Sequence, residues 1–140
     1  MKAIALVIAL AVVTVGCATP PPANLLGTEG RSPDQLATVV IESDQVKIID
    51  VDGKALPGSG TTNFYVVPGP HRLAVVLHWC PGGLCTEYGS FAAKPRQACI
   101  DAKAGMSYRV RAGNVGPDWV PVVTEQQGSG DPKPIDARCS

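Results

Sequence analysis

The sequence predicts an all-β domain: a small, mostly antiparallel β-sandwich of about seven or eight strands, behind an N-terminal apolar segment and a Pro-rich tether. Three observations carry that prediction. Short β-branched runs recur along the chain, and Gly- and Pro-containing turn signals separate them. No stretch after the N-terminal segment repeats apolar residues at the helical period over ~11 residues.

The elements follow in order. Thr38-Val39-Val40-Ile41 is the first strand, and Val46-Lys47-Ile48-Ile49-Asp50-Val51 is the second. Asp52-Gly53 then forms a tight turn, because both residues tolerate the positive φ that a two-residue hairpin needs. A Gly/Pro-rich loop leads to Phe64-Tyr65-Val66-Val67, and Pro68-Gly69-Pro70 turns the chain into His71–Trp79. In that long strand Leu73, Val75, Leu77 and Trp79 share one face, opposite Arg72, Ala74, Val76 and His78. Both faces are largely apolar, which predicts a central strand. Shorter strands are expected at Glu87–Phe91 and Ala98–Asp101. After Ala104-Gly105, Tyr108, Val110 and Ala112 point inward and Arg109 and Arg111 outward. Trp119–Val123 is the last strand expected, and Pro121, which has no amide hydrogen, predicts an edge position.

The N-terminus has the layout of an export signal. Lys2 supplies a positive start, Ala3–Val15 is apolar apart from Thr14, and Gly16 precedes Cys17. Thr14-Val15-Gly16-Cys17 resembles the bacterial lipobox, although Thr14 stands where that family prefers Leu. The resemblance implies diacylation of Cys17 and cleavage before it. Residues 1–16 then form the signal peptide and 17–34 an acylated tether, with Pro20-Pro21-Pro22 as a semi-rigid spacer. The sandwich is expected over 35–125, followed by a polar tail, 126–140, pinned by Cys139. Ala18 follows the lipidated Cys where inner-membrane retention places Asp, so the resemblance implies the outer membrane, facing the periplasm. Two or more acyl chains make such an anchor stable.

Twelve basic and twelve acidic residues leave the chain neutral, and no basic cluster interleaves with aromatics. A nucleic-acid partner is therefore not expected. With Cys17 assigned to lipid, Cys80, Cys85, Cys99 and Cys139 remain, an even number suited to an oxidising compartment. Four cysteines allow three pairings. Cys80–Cys85 closes a tight Pro-Gly-Gly turn and Cys99–Cys139 ties down the tail, so this pairing is favoured over the crossed ones.

Val51-Asp52-Gly53-Lys54, then Tyr65-Val66-Val67-Pro68-Gly69-Pro70-His71 and Leu73-Ala74-Val75, together resemble a PEGA-type module. Ala102-Lys103-Ala104-Gly105 with Tyr108-Arg109-Val110 is similar to the closing hairpin of many small bacterial lipoproteins. The resemblance implies a β-sandwich surface module and brings no catalytic motif with it.

Other chemistry is weakly supported. His78, Cys80 and Cys85 offer three soft metal ligands, but export favours oxidised sulfur and His71 falls on the opposite strand face. Cys80 and Cys85 lack the Cys-x-x-Cys spacing of a redox pair. His71 is expected to bond the turn backbone, and Asp50 and Asp52 to serve turn chemistry rather than calcium. Gly58-Ser59-Gly60 lacks the Gly-x-Ser-x-Gly spacing and the helix of a nucleophile elbow. An enzyme would need a pocket gathering His71 or His78 with Asp101 or Glu87. The expectation is thus a membrane-anchored, non-enzymatic envelope module without metal or cofactor, binding a protein partner through the edge at Val120–Thr124 or the loop Ala55–Thr62. The alternative is a carbohydrate- or small-ligand-binding module using exposed Trp79, Trp119 or Tyr65.

Overall fold

The computed structural model describes residues 27–43, 45–56, 62–77, 94–114 and 118–140. Within them, nine strands form two sheets, and the only helical element is a 3-10 turn at Pro33–Gln35. The strands are β1 (Ala37–Ile41), β2 (Val46–Val51), β3 (Lys54–Ala55), β4 (Asn63–Val66) and β5 (Gly69–Leu77). Then come β6 (Arg96–Ala102), β7 (Met106–Ala112), β8 (Pro121–Gln127) and β9 (Lys133–Ile135). A five-stranded sheet runs β4-β1-β7-β8-β9 and a four-stranded sheet β3-β2-β5-β6. Among the described residues the strands pair antiparallel except β1–β7, which is parallel. The predicted all-β, mostly antiparallel class is what the chain adopts.

Both sheets feed one core. Val39, Phe64, Tyr108 and Val110 come from the five-stranded sheet, and Ile48, Leu73, Val75 and Ile100 from the other. The central placement expected for the long strand holds: β5 lies between β2 and β6, with Leu73, Val75 and Leu77 buried. Strict alternation in β2 would turn Asp50 inward after Val46 and Ile48. A register shift between Ile48 and Asp50 prevents this, leaving Ile49 42% exposed and Val51 buried. The extra residue thus resets which side chains face the core.

At the end of β2 the chain turns over Asp52 and Gly53, whose φ values are 54° and 79°. Two consecutive positive φ values fit a primed hairpin turn, and Gly53 N–H is held by Asp50 Oδ1 at 2.8 Å. Val51 then pairs with Lys54, creating the short β3.

Three expectations need correction. The similarity of residues 102–110 to a closing hairpin fails, because β6 and β7 belong to different sheets. Pro121 does not mark an edge, since β8 lies between β7 and β9. It is tolerated as the first residue of its strand, beyond the reach of β9, which pairs only with Val123–Glu125. The strand expected at Trp119–Val123 begins at Pro121 and is not the last, since β9 follows it, and Trp119 is fully buried in the core beside it. The expected strand Glu87–Phe91 lies outside the described residues.

The C-terminal segment leaves β9 in one sheet and crosses to β6 in the other. Cys99 N–H donates to the Ala137 carbonyl at 2.8 Å, and Cys99 and Cys139 form a disulfide with a Cα–Cα distance of 5.1 Å. At the N-terminal side, Thr28 is 3% exposed and Gly105 N–H donates to the Leu36 carbonyl at 2.8 Å. The end of the N-terminal segment, at Leu36, is therefore tied to the β6–β7 turn.

Candidate functional site

The densest polar constellation among the described residues lies between the β2–β3 turn and the start of β5. Pro68-Gly69, with Gly69 at φ 130°, carries the chain from β4 in one sheet to β5 in the other. That corner brings His71 against Asp52, nineteen residues earlier. His71 Nδ1 lies 2.6 Å from Asp52 Oδ2, and Nε2 lies 2.7 Å from the Val67 carbonyl oxygen. Asp52 Oδ1 accepts the Arg72 amide at 2.8 Å. The His71 side chain is 10% exposed and that of Asp52 44%.

Burial pushes the Asp52 carboxyl up, but the Arg72 amide and His71 outweigh it and hold the group below its usual range. Both carboxylate oxygens are engaged and neither ring nitrogen of His71 is left open. The ring is thus committed on both sides, to Asp52 and to the Val67 carbonyl. Its geometry is that of a clamp between two turns.

Beside the clamp is an open groove of about 630 Å³. Asp52, Pro70 and Arg72 line one part of it, and Cys99, Arg138 and Ser140 the other. Arg138 is held by Asp136, with Nη2–Oδ2 at 2.6 Å and Nε–Oδ1 at 2.9 Å. The Arg138 side chain, with help from its backbone amide, draws the Asp136 carboxyl down to about 2. The groove is thus lined by polar and apolar groups alike, contributed by the β2–β3 turn, by β5 and β6, and by the disulfide-anchored tail.

A second polar staple lies at the β6–β7 sheet crossing. The Tyr108 hydroxyl donates to the Asp101 carbonyl at 3.1 Å and accepts the Lys103 amide at 3.1 Å. Burial pushes the phenol above its usual value, more than the Lys103 amide draws it down.

The sequence-predicted residues divide as follows. Cys99 and Cys139 are joined, as the favoured pairing has them. Cys17, Cys80, Cys85, His78, Trp79, Glu87 and Gly58-Ser59-Gly60 lie outside the described residues. His71 does bond its local turn, through Val67, and in addition meets Asp52. Asp50 and Asp52 do not act as a pair: Asp50 holds Gly53, while Asp52 holds β5. Asp101 is exposed and opposes Pro70, so the groove gathers His71 with Asp52 rather than with Asp101. Among the described residues no three His, Cys, Asp or Glu side chains are grouped to hold a metal. Trp119 is fully buried, so it offers no stacking surface, and its Nε1–H meets no acceptor among the described residues. Tyr65 is half-buried, on the face of β4 opposite Phe64 and Val66.

The Asp52–His71 contact was not visible in sequence. Its signal was two ordinary turn motifs, Asp-Gly and Pro-Gly-x-His, whose meeting depends on β2–β5 pairing. No family model, no curated protein and no solved structure matches the chain.

Proposed function

We propose that this chain is a lipid-anchored module of a bacterial envelope, acylated at Cys17, that acts by tethering and by contact with another envelope protein rather than by catalysis. The observation that carries the reading is the N-terminal pattern: Lys2, the apolar run Ala3–Val15, and Gly16 directly before Cys17. The disulfide between Cys99 and Cys139 supports an oxidising compartment. With those two sulfurs joined, Cys80 is left with Cys85 and Cys17 with the lipid. The PEGA-type resemblance of residues 51–75 supports a surface module, as does the clamp that joins its Asp-Gly and Pro-Gly-x-His parts.

The contact surface moves from the edge first expected at Val120–Thr124, since β9 now covers Val123–Glu125. The Pro134 position of β9 has no amide hydrogen and Lys133 adds a charge, features that discourage strand addition there. We assign contact instead to the face of the five-stranded sheet that carries Tyr65, Thr38, Arg109 and Thr124. These residues lie on adjacent strands β4, β1, β7 and β8.

Intact mass of the membrane-extracted protein, before and after reduction and alkylation, tests the reading. A chain beginning at Cys17 with added acyl mass, and four cysteines alkylated only after reduction, is expected. An unmodified Cys17, or a chain that still carries residues 1–16, overturns the anchor.

A further inference from the structure

Both ring nitrogens of His71 face oxygen acceptors at hydrogen-bond distance: Asp52 Oδ2 at 2.6 Å and the Val67 carbonyl at 2.7 Å. A neutral imidazole has one N–H and one lone pair, so it satisfies only one of these contacts and sets lone pair against lone pair at the other. Neither oxygen can become a donor while Asp52 is ionised, because one is a carboxylate and the other a backbone carbonyl. Only the imidazolium donates to both. The three groups also come from different parts of the fold: Asp52 from the β2–β3 turn, Val67 from the β4–β5 corner, and His71 from β5.

We infer that Asp52, His71 and the Val67 carbonyl form a pH-gated latch, closed while the ring carries both protons and opened at the corner when it loses one. The carboxylate retains the Nδ1 proton, because a charged acceptor binds it more strongly than a neutral carbonyl does. Deprotonation therefore falls on Nε2 and removes the bond to Val67. The charged groups around the ring are few. Asp52 faces it directly, Lys54 on β3 and Arg72 on β5 flank that carboxylate, and Arg138 of the C-terminal segment lines the same groove while paired to Asp136. On β6 the residue opposite His71 is the uncharged Ile100.

The latch sits where the chain enters the domain. Gly27 lies beside the corner that the latch holds, since a Cβ added to it would come within 3.8 Å of Val67 Cγ1. Opening the latch therefore alters the surroundings of Val67 and of Gly27 next to it. The inference does not depend on Cys17 carrying lipid.

The test uses the full mature chain with His78→Gln, so that one imidazole remains, labelled with nitrogen-15 and followed by NMR across pH. Both ring nitrogens are expected to be protonated in the closed state, with Nε2 losing its proton first and the Val67 and Gly27 amide resonances shifting in step. In His71→Gln the pH-dependent shift of the Val67 and Gly27 resonances should be lost. A ring found with a single N–H while the fold is intact at mildly acidic pH overturns the latch. So does a pH-dependent shift of the Val67 and Gly27 resonances that survives in His71→Gln, or loss of a ring proton that leaves those resonances unmoved.

Discussion

Tyr108 shows how one side chain sets a corner. It lies near the start of β7, yet its hydroxyl bonds the backbone five and seven residues earlier, across the crossing from one sheet to the other. Tyr108→Phe leaves the Lys103 amide and the Asp101 carbonyl without this partner and is expected to cost about 1–2 kcal/mol, measured by urea unfolding. Because burial raises the Tyr108 phenol above 10.0, its contribution is complete below that value and fades as pH rises through the folded titration. Asp52 behaves with the opposite sign. Its carboxyl is held below 3.8, so the stabilisation is present above that pH and is lost as pH falls through the lowered value. Stability should therefore drop in acid below 3.8, and Asp52→Asn should flatten part of that limb. Asp136→Asn, which changes an exposed pair beside Arg138, serves as the comparison; an acid limb unaltered by Asp52→Asn would remove the clamp from the account.

Among the elements, the C-terminal segment departs most from its sequence. Residues 126–140 are polar and rich in Gly and Pro, the composition of a loose tail. Tertiary pairing nevertheless extends β8 to Gln127 and adds β9, because Ile135 opposes Val123 and packs against the core. The Cys99–Cys139 bond spans 40 residues of chain, and in the chain-entropy account a loop of that size contributes about 4 kcal/mol. Cys99→Ser with Cys139→Ser should lower stability by roughly that amount. Amide exchange should increase first at β9 and at Cys99, whose N–H bonds Ala137. Uniform loss of protection throughout the domain would show instead that the bond acts on the unfolded chain alone. The bulge in β2 makes a similar point: Val-Lys-Ile-Ile-Asp-Val contains both apolar choices at 48 and 49, and only pairing with β5 decides which faces inward.

At the scale of the whole molecule, two sheets close over one apolar core while the polar chemistry collects at the turns. The Asp52–His71 clamp, the Tyr108 staple, and the Gly105–Leu36 contact each tie one connection to another part of the domain. The chain is neutral overall, and among the described residues no helix is long and apolar enough to cross a membrane. In the proposed reading, Cys17 and its acyl chains are the means of attachment, and the sandwich is the part presented to a partner.

The β class, the placement of most strands, the Asp52-Gly53 turn and the inward set Tyr108, Val110 and Ala112 were legible in sequence, because each depends on the period or turn chemistry of a few neighbouring residues. Much of the candidate site was not. His71 was readable as the partner of its own turn, but its contact with Asp52 requires β2 and β5 to pair in a bulged register. Sheet membership of β6 and β7 likewise depends on packing between distant segments. Local pattern specifies that a segment is extended and which side is apolar. Which strand lies beside it, and which turns meet at its ends, is settled by shared burial and hydrogen bonding across the whole sandwich.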